Sequence, residues 1–245
     1  MVQEGITMRK MIFKLAASCV ALGSIAAAAP AFAQDAEEEA AGPIDIEVTV
    51  AAVSDYRFRG VSLSEKDPAF QPGITVSHES GLYVGAWASN IADNPGDDIE
   101  VDLFAGFSGG EEVTWDVGAT YYMYPGFSSA NYVELIGKMG TTYGPLEWGV
   151  IAAYTPSQDN IGNQDNFYVG TTASVGIPDS PIKFNTSIGF EDGAFGDKKL
   201  DWSLGISADV AGFTLGAAYI DTNKRGVYVP GDSKATAVFS ISYTF

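Results

Sequence analysis

His78 is the single histidine of the chain, in the run Ser77-His78-Glu79-Ser80. A serine, a histidine and a carboxylate are the parts of an activated nucleophile such as a lipid hydrolase uses. In an extended segment, however, Ser77 and Glu79 project to the face opposite His78. The run therefore reads as the polar end of a strand, and no catalytic residue is assigned. Metal chemistry is equally thin. One histidine and one cysteine, Cys19, cannot build the usual zinc sets. The segments "DNPGDD" and "DNIGNQDN" offer oxygen ligands for Ca²⁺, but they lack EF-hand spacing and match ordinary turn composition. No phosphate-binding glycine motif is present. No metal or cofactor is expected.

The more informative residues are ionisable ones at alternate positions. Asp55, Arg57 and Arg59 form one such set, Glu100 and Asp102 a second, Glu134 and Lys138 a third; Asp116, Lys183 and Asp201 stand singly. Asp45, Glu47, Glu147, Glu191 and Asp209 fall on the same face by parity. Eleven acids against four bases give that face a net charge of −7. Charges so placed are too costly for a dry core and call for a wetted interior. Two arrangements satisfy them: an open, water-filled lumen, which is the expected one, or a lumen closed by mutual salt bridges such as Asp55 with Arg57 or Arg59.

The elements that would hold these residues are strands. "DIEVDLFAGFS" sets Ile99, Val101, Leu103, Ala105 and Phe107 against Glu100, Asp102, Gly106 and Ser108. "EVTWDVGATYYMY", "PIKFNTSIGFE" and "KLDWSLGISADV" repeat the pattern, and "IDIEVTVAAVSDYRFRG" extends it to Tyr56 and Phe58 on the apolar face. With weaker alternations between them, about twelve strands of bilayer-crossing length are predicted. In the 82–91 stretch, Leu82, Val84 and Ala86 compete with Tyr83 and Trp87 for the outer face. Connections alternate between long ("GVSLSEKDPA", "NIADNPGDD", "EDGAFGDKK") and short ("HESG", "SGGE", "VAG"). Aromatics gather at the two strand ends: Tyr56, Phe58, Phe70, Tyr121, Tyr154, Phe167, Phe190 and Tyr219 at one, Phe107, Trp115, Trp148, Phe184, Phe213, Tyr243 and Phe245 at the other. The fold class is all-β, a transmembrane antiparallel up-and-down barrel, with such girdles at headgroup depth. A soluble barrel would bury apolar side chains where this chain places charges.

The ends agree with that class. Arg9, Lys10 and Lys14, the apolar run Leu15–Ala29 and Ala31-Phe32-Ala33 read as a secretory signal peptide over 1–33, with Met8 a second candidate start. An acidic spacer over 34–43 and a barrel over 44–245 follow. Of the 13 Lys and Arg, Arg9, Lys10 and Lys14 leave with the leader, as does Glu4 of the 31 Asp and Glu, so the mature charge is about −20. That excludes nucleic acid as a partner. The closing strand "KATAVFSISYTF" alternates to Tyr243 and Phe245. It is expected to pair with the first strand and to serve as the signal read by the barrel assembly machinery.

The stretch "SDYRFRGVSLSEKDPAFQPGITVSHESGLYVGAWASNI", with "WDVGATYYMYPG" and "NYVELIGK", resembles the TorF-type porin family, also called Gcw_chp. The resemblance runs from about Val48 to the end. It implies a proteobacterial outer-membrane barrel acting as a channel, and it brings no catalytic or ligand residues with it. The expected function is passive diffusion of small hydrophilic solutes through a narrow, weakly cation-selective pore, with both termini periplasmic. Outer-membrane lipids, lipopolysaccharide, the assembly machinery and small solutes are the expected partners. A non-conducting surface barrel and an outer-membrane lipid hydrolase are the alternatives.

Overall fold

The computed structural model describes residues 43–94, 97–224 and 233–245. The predicted leader, the spacer as far as Gly42 and the 225–232 stretch of the last long connection lie outside the described residues. Twelve antiparallel strands close into a barrel. They are β1 (Ile44–Val53), β4 (Ala69–His78), β5 (Leu82–Asn94), β6 (Asp97–Gly109), β7 (Val113–Met123), β8 (Tyr132–Tyr143), β9 (Leu146–Thr155), β10 (Asn166–Gly176), β11 (Ile182–Gly193), β12 (Gly196–Val210), β13 (Phe213–Thr222) and β14 (Thr236–Thr244). Two short strands, β2 (Arg57–Phe58) and β3 (Val61–Ser62), pair with each other inside the connection between β1 and β4. Closure satisfies the backbone groups that an open edge would strand in lipid. The last joint, β1 against β14, pairs Thr49 with Thr244 through Val53 with Ser240. It is finished by the Phe245 N–H, which donates to the Val48 carbonyl at 2.9 Å.

The predicted period of two sets the wall. Leu103, Val117, Leu135, Ile188 and Leu204 are exposed on the outside, whereas Glu100, Asp102, Glu134, Asn166 and Glu191 are buried within. The 82–91 competition resolves for the aliphatic set: Leu82 and Val84 face out and Tyr83 is buried inside. Inward rings need space on neighbouring strands, and glycine provides it. Tyr168 lies so close over Gly189 that a Cβ there would collide with its ring, and Tyr83 lies likewise over Gly106 and Gly118.

Three expectations need correction. The first strand does not continue through Arg59 but stops at Val53, and residues 55–64 turn into the barrel. Tyr56 is therefore fully buried, and neither it nor Phe58 belongs to the outer girdle. Phe70, Tyr121, Tyr154, Phe167 and Tyr219 do remain outward at the long-loop end. Finally, two expected long loops are largely strand. β5 runs to Asn94 with β6 starting at Asp97, and β11 runs to Gly193 with β12 starting at Gly196. The residues there have the polar composition of loops, but ladder pairing such as Glu191 with Lys199 continues through them.

Candidate functional site

The inner wall carries an apolar patch where a water-filled bore would carry none. Val53, Ala69, Ala218, Ile220 and Val238 are buried together on β1, β4, β13 and β14, and Tyr56 and Leu63 of the first loop pack on them. This patch seats the loop by apolar burial. Each buried side chain of that size contributes about 1.5–3 kcal/mol. Leu63 N–H donates to the Tyr56 carbonyl at 2.7 Å, and Ala92 N–H of β5 donates to the Leu63 carbonyl at 2.7 Å. Gly60, at φ 83°, lies against Asp201 and Thr222 so closely that a Cβ would meet both side chains within 3 Å. Only glycine suits both that backbone and that contact.

The loop is held internally by Asp55. Its carboxylate accepts from Arg57 Nε at 2.6 Å, from Ser62 Oγ at 2.5 Å and from Ser64 Oγ at 3.4 Å. Arg57 Nη1 also donates to the Gly60 carbonyl at 3.0 Å. Asp55 and Arg57 thus pair inside the loop, one of the two salt bridges weighed from sequence.

Arg59 instead crosses the bore. Nη2 donates to Glu134 Oε2 of β8 at 2.7 Å and Nη1 to Glu191 Oε1 of β11 at 2.8 Å. Its guanidinium sits 4.2 Å from the Tyr168 ring centre and 4.6 Å from that of Phe58. Each carboxylate is anchored again: Glu134 by Tyr122 and Thr155 hydroxyls, Glu191 by Asn166 and Lys199. Lys199 Nζ also donates to the Arg59 carbonyl at 2.7 Å. Arg59 belongs to the loop, not to a spanning strand. Burial would lower its pKa, but Glu134 and Glu191 raise it well above the ordinary arginine value, so it is a fixed cation. The Tyr56 phenol, also in the loop, is pushed well above its usual range by burial and then by Glu100 and Asp102. Its hydroxyl donates to Glu100 at 3.3 Å.

Below this layer the lumen changes character. Lys138 faces Asp116 at 3.9 Å and Lys183 faces Glu147 at 3.1 Å. The side chains of these pairs are 14–31 % exposed, against 0–3 % for the pairs of the loop layer. Small polar residues line part of it, with Ser174 bonded to Asn185 and Ser187 to Ser203, while Tyr83, Phe104 and Ile151 are buried in the same part of the interior. Asp102 and Asp116, on adjacent strands, are not level. The register sets Asp102 opposite Tyr122 and Asp116 opposite Ser108, six residues nearer the short turns.

The predicted residues therefore fall into two groups. Asp55, Arg57, Arg59, Glu100, Asp102, Glu134 and Asp201 lie buried in or against the loop layer, while Asp116, Lys138 and Lys183 lie in the wetter part. The expected open lumen gives way, at the long-loop end, to the salt-bridged alternative. Lys199 was missed as an inward base, although it shares parity with Asp201. Tyr122, Tyr132 and Tyr168 were missed as interior rings because aromatics at strand ends suggest girdles. A second inward loop was also missed: Ile161, in the 3-10 turn Asp159–Ile161, buries against Tyr122 and Tyr132.

His78 is the last residue of β4, opposite Ile44. Its Nδ1 accepts from the Ser80 N–H at 3.1 Å and lies 2.9 Å from the Ser80 hydroxyl. Among the described residues no carboxylate bonds its ring, and no group of three or more His, Cys, Asp or Glu is placed to hold a metal. At the opposite strand terminus from the loop layer, Tyr243 packs edge-on to Phe245 with ring centres 4.7 Å apart.

A family model described as "Bacterial protein of unknown function (Gcw_chp)" matches residues 37–245. No curated protein matches the sequence. Among solved structures, a KdgM porin in complex with disordered oligogalacturonate superposes with a TM-score of 0.56 at 7% identity, covering 82% of this chain and 98% of that one. The NanC porin superposes at 0.51 with 12% identity, covering 82% and 98%. At these identities the likeness is one of fold: the chain has the closed barrel of outer-membrane porins.

Proposed function

Because this chain belongs to the Gcw_chp family of bacterial proteins and folds as a porin-type barrel, we propose that it is an outer-membrane channel for small hydrophilic solutes, narrowed by its own first loop and weakly cation-selective. The observation that carries this reading is the partly exposed, charged interior below the loop layer, where the side chains of Asp116, Lys138, Glu147 and Lys183 keep 14–31 % of their surface accessible. A barrel serving only as a surface scaffold has no use for solvated charges facing its lumen at the short-turn end. The short turns and both ends of the described chain lie at one end of the barrel, which is the periplasmic end in this reading. The aromatic rings at the two strand ends sit at the headgroup layers of the lipid and lipopolysaccharide leaflets.

The sign of selectivity follows from the wall. With Lys199 added, eleven inward acids face five inward bases, a net of −6. Rings of carboxylates favour cations. An oligogalacturonate chain, the polyanion held by the KdgM neighbour, is the wrong charge for this interior. One observation favours the second reading, a barrel without conductance: the first loop fills the upper bore and is tied to β8 and β11. Single-channel recording of the purified protein in a planar bilayer decides between them. Small, cation-preferring steps in a KCl gradient are expected, and replacing residues 55–64 with a short glycine-serine linker should enlarge them. An electrically silent barrel, with or without the loop, would sink the channel reading. Lipid hydrolysis lost in His78→Ala would establish the hydrolase instead.

A further inference from the structure

Pro72 lies inside β4. A proline has no N–H for a neighbouring strand, so within a sheet it weakens one joint. Here that joint is the one with β5. Phe70 N–H donates to the Asn90 side chain of β5 at 2.7 Å. Successive amides along a strand point to opposite neighbours, so the Pro72 position faces β5 as Phe70 does, and it has nothing to donate. The ladder accordingly ends at Gly73 opposite Trp87, although β4 runs on to Ala69 and β5 to Asn94. On its other side β4 stays paired to β1 as far as Ala69 opposite Val53. The seam between β1 and β14 is also short, but backbone bonds prolong it at both ends, Phe245 to Val48 and Ser54 to Phe239.

Side chains stand in above Gly73. Asn90 Oδ1 accepts from Phe70, Asn90 Nδ2 donates to the Pro68 carbonyl at 3.0 Å, and the Asn90 carbonyl accepts the Ser89 hydroxyl at 2.9 Å. Gln71 Nε2 donates to Ser89 Oγ at 3.3 Å. Asn90 is exposed, so turning its side chain away undoes two bonds at once and leaves the amide in the headgroup layer. Both faces of the weakened stretch are apolar. Outside, Phe70 and Ile74 meet the lipid. Inside, Ala69 belongs to the apolar patch, with Trp87 and Ile91 packed against it. Trp87 forms the inner sill: its ring comes to 3.4 Å from where a Gly73 Cβ would stand. A half-open cavity of about 40 Å³ starts at the same ring. Its apolar lining includes Phe58, Tyr83, Phe104 and Ile151, and Arg59 and Lys138 also border it. On the measure by which one water needs about 10–15 Å³, it holds about three water-sized positions, room for the end of an alkyl chain.

We propose that the long-loop half of the β4–β5 joint is a lateral portal, latched by Asn90, through which the alkyl chain of a single-chain amphiphile passes from the surrounding lipid to the Trp87 side of the interior. Continuity selects this occupant. Lipid covers Phe70 and Ile74 on one face of the joint, apolar side chains lie behind it, and no ladder pair above Gly73 bars the way between them. A backbone ladder opens only when a strand moves, whereas this latch opens by rotation of one side chain. The space behind it suits one chain end and not the two chains of a phospholipid. The portal goes beyond the channel reading, since it gives the barrel an apolar ligand besides hydrophilic solutes.

A reversible lock tests it. Gln71 and Ser89 already meet across the joint, and Cys19, in the predicted leader, is the one cysteine of the chain. Gln71→Cys with Ser89→Cys therefore puts a disulfide across the portal in a barrel free of other thiols. The reporter is Trp87, with Trp115, Trp148 and Trp202, which are exposed outside, replaced by Phe. In phosphatidylcholine vesicles, 12-bromododecanoate should quench Trp87 saturably relative to dodecanoate while the pair is reduced, and oxidation should weaken that quenching at least fivefold. Ser187→Cys with Ser203→Cys, a pair joining β11 and β12, should leave it unchanged on oxidation. Where either set of substitutions yields no heat-modifiable barrel, Asn90→Ala in the otherwise unaltered chain decides: saturable quenching should set in at least threefold faster than in the parent. Absence of a saturable component, equal quenching of locked and unlocked protein, or an unaltered rate in Asn90→Ala would overturn the portal. Portal and channel fail separately. An electrically silent bilayer with lock-sensitive quenching keeps the portal and removes the channel, and ionic steps without saturable quenching do the reverse.

Discussion

Arg59 Nη2 stands 2.7 Å from Glu134 Oε2, joining residues 75 positions apart across the bore of the barrel. With the matching contact to Glu191 at 2.8 Å, one side chain ties the loop after β1 to β8 and β11.

Arg59→Ala leaves two buried carboxylates without their shared cation. Breaking a buried pair costs about 3–5 kcal/mol. The barrel should lose its heat-modifiable form at a clearly lower temperature than the parent. Arg59→Lys should not restore it, because a single ammonium lacks the fork that serves two carboxylates on two strands. Full thermal resistance in Arg59→Ala would mean that apolar seating alone holds the loop.

Lys138 and Asp116 should have opposite effects on ion preference. Their 3.9 Å contact is partly wetted, so each charge acts largely through the lumen field. Lys138→Gln should move the reversal potential in a KCl gradient toward the potassium limit, and Asp116→Asn should move it away. Both shifts should shrink as salt rises, since screening reaches about 8 Å at physiological strength and about 3 Å at 1 M. Equal shifts of one sign would contradict the inward parity of this row.

Gly189 and Gly137 offer a matched comparison. A Cβ at Gly189 would strike the Tyr168 ring, whereas nothing lies within 4 Å of one at Gly137. Gly189→Ala should destabilise the barrel by about 1–3 kcal/mol, the usual cost of overpacking. Gly137→Ala should be near neutral. Denaturant titration in detergent, following tryptophan emission, measures both.

Deleting Phe245 removes the backbone bonds it exchanges with Val48, at 2.9 and 3.5 Å, and the ring against Tyr243. The folded, heat-modifiable species in membranes should fall severalfold, while any barrel that does assemble should conduct as the parent does. Normal levels of the truncated protein would separate Phe245 from assembly.

The wall was legible because a strand in a barrel has two environments and the chain alternates to match: Leu103 outside and Asp102 inside need no distant information. The loop layer was not legible, because Asp55-Tyr56-Arg57-Phe58-Arg59 alternates just as well and reads as more strand. What breaks it is long-range: Arg59 finds Glu134 and Glu191, and Tyr56 finds a seat on Ile220 and Val238. One hint was present. Val238 and Ile220 are apolar at inward positions among hydroxyl-bearing neighbours, and a water-filled bore gives no reason for them. Lys199 and the extended β11–β12 ladder were hidden by polar composition, which marks loops and protruding strand ends alike.

The tie made by Arg59 also has a metrical meaning. Eleven of the joints between strands link neighbours along the chain and would form in a sheet of any width. Only the pairing of β1 with β14 decides how many strands share the circle. The loop leaves β1 at that seam, where Ser54 N–H donates to the Phe239 carbonyl of β14 at 2.8 Å. From there its arginine must reach two carboxylates fixed on β8 and β11. A cylinder with one hairpin fewer or more would have a different diameter, and the fork would overshoot or fall short of its two anchors. The first loop thus acts as a gauge of circumference, carried by the strand that has to recognise when the sheet is wide enough to close.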